Sequence, residues 1–419
     1  MPQNPVSQAP VVIIGVGIVG TCAAINLLRE GHRVVMVDQE GPAAGASSGN
    51  AGAISPGSCI PLASPGVLKD VPKWLLDRDG PLVIRANYLL QAMPWLVRFL
   101  ASSSPEHFEK ICDALHALHS VTHACYAPIL EFAGAAHLIR RTGALTVYES
   151  PDAYEASRGS WERRRRRGIA YEVLGTEAIR SLAPALGSRF THAVLQADHG
   201  YVVEPRKLVS ELFDAACRNG AGFVRGKAMS IAPSPDGLVV ALDSGNRLVG
   251  SHVVVAAGAS SKALLRSLGH SVPLERQRGY HLHLPDPGIE LPLPVSFAKS
   301  KFYATPMQSG IRLAGTVEFA RPDAGPDFRR AERLGTMASR WLEGLRLDGA
   351  TQWMGNRPCL PDSLPMIDRL PRHPNVIVAF GHGHNGMTSA PATARLVADL
   401  VAARMPFMDI APYRSNRFS

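Results

Sequence analysis

The chain has 419 residues, of which 46% are hydrophobic and 19% charged; that composition excludes a disordered, collagenous or coiled-coil protein. At roughly 150 residues per domain, the length predicts two or three domains, or one large α/β unit with an insertion. Forty-four Lys and Arg against 35 Asp and Glu leave a net charge of +9, which suits an anionic small molecule, an anionic lipid surface or nucleic acid.

No zinc-finger, homeodomain or RNA-binding signature supports nucleic acid. Cysteines stand at 22, 59, 112, 125, 217 and 359 with no C-x-x-C pair, so neither a metal site nor a disulfide framework is expected. Met1 to Pro10 carries no basic residue, and the apolar run Val11 to Ile14 is too short for a signal or membrane segment. A reducing cytoplasm is the expected compartment, with a peripheral seat at the inner membrane as an alternative.

Val11 to Ile14 is β-branched throughout, as in a buried parallel strand. Gly15-Val16-Gly17-Ile18-Val19-Gly20 follows, then a helical stretch to Glu30 closed by Gly31, then a second strand, Val34 to Val37, ending at Asp38. Gly15 permits the tight turn, Gly17 lets a pyrophosphate approach the backbone, and Gly20 lets helix and strand pack closely. The helix N-terminus offers N–H groups to phosphates. Asp38, 23 positions after Gly15, can accept hydrogen bonds from a ribose diol and disfavours a 2′-phosphate. Within strand, turn, helix, strand and acid, this G-x-G-x-x-G predicts a bound dinucleotide. Gln39 extends the same edge.

Three later features favour FAD over NAD. Gly45-Ala46-Ser47-Ser48-Gly49-Asn50-Ala51-Gly52 is a small, polar loop able to run close to a phosphate or a flat ring. Val253 to Gly258 is a second buried strand ending in Ala257 and Gly258, and it predicts a distant segment rejoining the nucleotide domain. Val376 to Phe380 runs into Gly381-His382-Gly383-His384-Asn385-Gly386-Met387-Thr388 and a helix, whose N-terminus can stabilise negative charge on a reduced ring. Ala228 is assigned to the same site.

Between these segments, residues 66 to 142 read mostly as helix. His116, His119 and His123 fall there and are expected to be ordinary helix residues, since no third metal ligand is identifiable. The basic run Arg163 to Arg167 is expected to be a solvated helix face, with a membrane or partner contact as the alternative. Residues 272 to 320 read as strands broken by prolines, an antiparallel sheet roofing a flavin.

These motifs together resemble the D-amino-acid oxidase superfamily of FAD proteins, particularly its branch of glycine oxidases and bacterial D-amino acid dehydrogenases. The resemblance rests on the fingerprint with its G-A-S-S-G-N-A-G loop, Gly200 to Leu208, Arg278-Gly279-Tyr280, Gly355-Asn356-Arg357-Pro358 with Pro361-Asp362 and Pro365-Met366-Ile367, and the final G-H-G-H-N-G. It implies a mixed α/β fold: a discontinuous Rossmann-like FAD-binding domain (1–65, 191–262 and 351–419) and a substrate domain (66–190 and 263–350) built on an antiparallel sheet plus a helical insertion. It implies oxidation of a small amino or imino acid, most simply a D-amino acid, possession of a D-hydroxyproline-type substrate being the sharper expectation. Hydride would leave the α-carbon for flavin N5, giving an imine, with quinone or oxygen as acceptor. Arg357 is the expected carboxylate clamp, a role a guanidinium fork performs bidentately. Tyr280 is the second candidate, through a hydrogen bond to the carboxylate or amine. His384 is expected at the flavin or substrate, His382 as a helix cap, and Tyr303 is a further candidate. Related sarcosine oxidases attach flavin through a Cys; here Gly355 stands at about that position, so non-covalent FAD is expected. The alternatives are a glycine- or sarcosine-type oxidase, an NAD-linked dehydrogenase, and a non-catalytic flavin-binding subunit of a larger complex.

Overall fold

The computed structural model describes residues 9–65 and 82–418; the start of the expected helical region, 66–81, lies outside the described residues. Val11–Ile14 is the centre of a parallel sheet. It pairs on one side with Val34–Asp38, which in turn pairs with Gly222–Arg225. On the other side it pairs with His252–Val255, followed by His373–Phe380 and the antiparallel Met366–Leu370. The sheet is buried on both faces, which explains the unbroken apolar runs of its central strands. Val11 and Ile13 share a core with the helices Ile18–Arg29, Pro205–Arg218 and Gly386–Val401. Val12 and Ile14 face the opposite way, into a core completed by the antiparallel strands Ala228–Ser234, Gly237–Leu242 and Arg247–Gly250.

The second sheet runs in the order Thr351–Cys359, Glu275–Leu284, Gly310–Phe319, Phe302–Met307, Val295–Phe297, Ala144–Tyr148, His192–Gln196 and Glu172–Leu174. Leu82–Ile84 joins beside Gly310–Phe319. The expected proline-broken strands of 272–320 are its middle. Sheet membership corrects two expected boundaries. His192–Gln196 and Thr351–Cys359, placed by sequence with the nucleotide domain, are strands of this second sheet. Each has its pairing partner far away in sequence, so only tertiary pairing decides the sheet it joins.

The helical insertion is Leu89–Ala101, Pro105–Ser120 and Thr122–Ala133. Its histidines go to separate partners. His119 is buried, donating through Nδ1 to the Ser58 carbonyl and meeting the Ser389 hydroxyl with Nε2 at 3.0 Å. His123 donates to the Asp198 carbonyl. The arginine run divides by helical position along Pro151–Arg166. Arg163 and Arg167, four apart and on one face, bind Glu109 at 3.0 and 2.7 Å, and Arg167 also binds Asp113 at 2.8 Å, bolting this helix to Pro105–Ser120. Arg165 and Arg166 are exposed beside Glu162. The solvated-face expectation holds for these two, whereas Arg163 and Arg167 are interhelical ties. No helix among the described residues is long and apolar enough to cross a membrane.

Burial lowers the pKa of His119 to about 4 and of His199 and His382 to about 3. Such rings titrate near 6.5 when unfolded. Below that pH the unfolded chain takes up protons that the native chain refuses, so stability falls as pH falls from about 6.5 toward 4, by up to about 1.4 kcal/mol per pH unit for each ring. Denaturant unfolding of the wild type and His199→Gln at pH 7, 6 and 5 is expected to show a shallower acid slope in the variant; equal slopes would refute the assignment.

Candidate active site

A cavity of about 2140 Å³ runs between the two sheets, from Gly15, Asp38 and Gly258 at one end to Arg357, Tyr303 and His384 at the other. At the first end the chain is shaped by close backbone approach. Gly15 has φ +104°, and a Cβ there would collide with the Ala256 carbonyl. Helix Ile18–Arg29 carries no side-chain cap; Ser47 Oγ accepts from the Ile18 N–H at 3.1 Å. Asp38 holds the turn together, accepting from the N–H groups of Val16 at 3.1 Å, Glu40 at 2.9 Å and Gly41 at 3.1 Å.

Of the residues assigned to the cofactor by sequence, Gly15, Gly17, Ile18, Val19, Asp38, Gln39, Ala46, Ser47, Asn50, Ala51, Ala228, Ala257, Gly258, Gly383, His384, Asn385, Gly386 and Met387 line the cavity. Four stand behind it instead. Gly20 packs on the Gly15 carbonyl and Ala256. Ser48 turns its hydroxyl to the Gly45 carbonyl. Gly52 sits beneath the Val202 carbonyl, donating to Asn50 Oδ1 at 2.8 Å. Thr388 is buried and bonds the backbone of Ser55 and Ala53. These four shape the cradle and do not line it.

The loop that precedes Ala53 hangs from the second sheet by its carbonyls. Arg312 Nη1 donates to Ser48 O at 3.1 Å and Asn50 O at 2.7 Å, Thr305 Oγ1 to Ala51 O at 2.7 Å, and His281 Nδ1 to Gly49 O at 3.0 Å. Trp353 stacks on His281 with ring centroids 5.1 Å apart, and a Cβ at Gly49 would fall inside the Trp353 ring. None of Arg312, Thr305 or Trp353 is in a motif; for Arg312 and Thr305 the only sequence signal was their place within residues 272–320, expected to roof the flavin, and Trp353 fell in a segment assigned to the nucleotide domain.

Arg357 lies on the edge strand, half-buried, with one protein hydrogen bond, Nη1 to the Thr316 carbonyl at 2.9 Å. No carboxylate among the described residues pairs with it. Its space is made by Gly279 on the neighbouring strand, where a Cβ would overlap the guanidinium. Thr316 is unusual in two ways. It is a β-branched residue at φ +63°, a conformation such residues rarely adopt, and its Oγ1 is buried without a partner. The strained backbone aims its carbonyl at Arg357. His384 is exposed to the cavity; desolvation within the cavity first, and the Arg357 charge second, lower its pKa from the ordinary imidazole value, so the ring is neutral. Tyr303 also lines the cavity, and no described residue hydrogen-bonds its hydroxyl; burial raises its pKa, which keeps it a phenol.

Tyr280 is a correction. Its hydroxyl donates to Glu318 Oε2 at 2.6 Å and accepts from the Asp327 N–H at 3.0 Å; the residue borders the cavity, but its ring packs in the second sheet's core and its one proton is already given to Glu318. Both hydrogen-bonding roles are spent, so it cannot hold a carboxylate. In Arg278-Gly279-Tyr280 the flanking residues anchor on Glu318, Arg278 at 3.5 Å, while the glycine gives Arg357 its room. His382 meets Thr393 Oγ1 at 2.9 Å within its own helix region and is likewise structural.

Residues 10–400 match the family model described as DAO, FAD dependent oxidoreductase. The chain belongs to this family. It is 36% identical to a D-amino-acid oxidase of Bradyrhizobium diazoefficiens, over 97% of this chain and 98% of that one, and 27% identical to D-amino acid dehydrogenase 1 of Mesorhizobium japonicum, over 97% and 99%. Its fold matches glycine oxidase from Geobacillus kaustophilus with a TM-score of 0.76, at 22% identity and 98% coverage of both chains. This FAD-dependent oxidoreductase therefore has the expected mixed α/β architecture. The residues present fit FAD: the uncapped helix at Gly17 and Ser47 suit its phosphates, Asp38 a ribose, and the helix starting at Gly386, whose Asn385 cap makes no side-chain bond, the flavin ring.

Gly279→Ala tests the clamp without emptying a core. Only the movable end of Arg357 must yield, so the fold is expected to survive with an unchanged melting temperature within about 2 °C, while kcat/KM falls by about 100-fold or more. Retained activity would show that Arg357 does not need its present position.

Proposed function

We propose that this chain oxidises a small D-amino or D-imino acid at the Cα–N bond, with Arg357 holding the substrate carboxylate. The observation that carries the reading is the half-buried guanidinium of Arg357, which faces the cavity with one carbonyl ligand and no acidic partner among the described residues. A charge withdrawn from bulk water without a counter-ion is costly, and a bidentate carboxylate supplies the missing partner. The names of the relatives, D-amino-acid oxidase and D-amino acid dehydrogenase, support the D configuration.

The chain's own residues then divide the work. Arg357 fixes the carboxylate, and Tyr303 can donate its phenolic proton to the same group. The Arg357 charge disfavours an ammonium beside it, so the substrate amine is bound neutral. Its lone pair is then free to form the C=N bond as the α-hydrogen leaves, and no general base is required. Neutral His384 adds no second cation to oppose the amine. FAD, when bound, accepts the hydride. The product imine hydrolyses in water after release.

We further propose non-covalent FAD. Cys359 is the nearby thiol, but it is buried, its pKa is pushed up to about 12 by burial, and Trp95 binds its carbonyl. For the acceptor, helix Leu89–Ala101 lines the cavity with Met93 and Val97 and exposes Leu90 at 85%. This apolar face favours a membrane quinone and a peripheral membrane seat over a purely aqueous setting.

Mixing the oxidised protein anaerobically with D- and L-amino acids, both hydroxyproline epimers, proline, glycine and sarcosine is expected to bleach the flavin with D-substrates, and Arg357→Ala is expected to weaken this by about 1000-fold or more. Bleaching by glycine or sarcosine alone would replace the D-specific reading, and unchanged apparent affinity in the variant would remove the clamp. Trichloroacetic acid is expected to leave all yellow colour in the supernatant; flavin in the pellet would contradict non-covalent binding. Reoxidation by a soluble quinone analogue is expected to outpace reoxidation by air.

A further inference from the structure

The arginine run leaves one member unexplained. Arg164 turns inward from helix Pro151–Arg166 and lines the same cavity as Arg357. Among the described residues its Nη1 bonds only within its own helix, to the carbonyl and hydroxyl of Ser160, and its guanidinium lies 4.6 Å from the Trp161 ring centroid. None of the described carboxylates pairs with it, and its Nε is buried without a partner. Gln196 lines the cavity as well, and its Nε2 is also buried and unpartnered. Both orphaned atoms are hydrogen-bond donors, and one belongs to a cation. A buried donor left without an acceptor destabilises the site that holds it. The group that would satisfy them is an anion with acceptor oxygens.

Position in the sheet relates this pocket to the substrate end. Thr146, Ser296 and Tyr303 are register neighbours on successive strands and all line the cavity. Thr146, on the strand that carries Tyr148 beneath Trp161, therefore lies about 10 Å from Tyr303 at ordinary strand spacing. Tyr303 is in turn one strand from Thr316, the ligand of Arg357.

We propose that Arg164 and Gln196 form a second carboxylate site in the substrate cavity, which selects amino acids with an acidic side chain. The proposal rests on the amino-acid reading above, with the α-carboxylate on Arg357. A substrate so clamped would extend along the row Tyr303, Ser296, Thr146 and place its distal carboxylate between the two unsatisfied donors. The net positive charge of the chain adds attraction for such a dianion.

Binding can be tested apart from turnover, by perturbation of the flavin absorption in the holoenzyme. Butyrate serves as the monocarboxylate probe, and glutarate, adipate and pimelate as dicarboxylates of increasing length. At least one dicarboxylate is expected to bind about 10-fold or more tighter than butyrate, and Arg164→Gln is expected to abolish that advantage while leaving butyrate affinity unchanged. Gln196→Leu, further from the helix packing, is expected to reduce it several-fold, which guards against misfolding of the first variant. Equal affinities for mono- and dicarboxylates, or an advantage that survives both substitutions, would overturn the proposal. In turnover, kcat/KM for D-glutamate or D-2-aminoadipate should fall in Arg164→Gln while that for D-alanine does not. If no amino acid reduces the flavin, the proposed function fails, and the dicarboxylate titration still decides the second site.

Discussion

The site depends on the suspension of one loop. Residues 48 to 51 belong by sequence to the nucleotide-binding half, but four of their carbonyl bonds come from the other sheet, through Arg312, Thr305 and His281. A loop this rich in small residues has little side-chain packing to hold it, and backbone bonds are what fix its path. Arg312 is itself buried beside Glu204 at 3.4 Å, so the anchor is charged and held from behind. The cavity exists because this loop is held apart from the roof and tied to it at once.

The clamp is built by subtraction. Gly279 and Gly355 face one another across two strands, and the missing side chains leave a window in an otherwise filled sheet. Arg357 fills one part and Trp353 the other. Thr316 adds a backbone carbonyl from a strained conformation, a pattern found where a structure over-determines a functional position. The charge at Arg357 thus has a fixed place, a single neutral ligand among the described residues and an open side.

The sequence was legible where chemistry is local. The fingerprint, the small-residue loop and the C-terminal G-H-G-H-N-G turn each place their residues within a few positions of one another, and most of those residues line the cavity. Arg357 was legible through its motif. Tyr280 was misleading because its partner, Glu318, lies 38 positions away and a register shift between Arg278 and Tyr280 interrupts the simple alternation of the strand. Arg312, Thr305 and Trp353 left no local mark, since their work is defined by a loop far earlier in the chain, 254 to 264 residues before Thr305 and Arg312 and further still before Trp353. Likewise the five arginines at 163 to 167 look alike in sequence, and only the helix phase against Glu109, Glu162 and the cavity separates three different jobs.

The suspended loop also makes cofactor retention and interdomain cohesion a single thermodynamic quantity. Whatever binds the cradle and orders residues 48 to 51 must tighten the second sheet's hold on them, and the reverse holds by the same free energy. Glu204, outside the cavity lining, steadies Arg312. It therefore sits on the path by which loss of the cofactor would loosen the roof, and loosening the roof would release the cofactor.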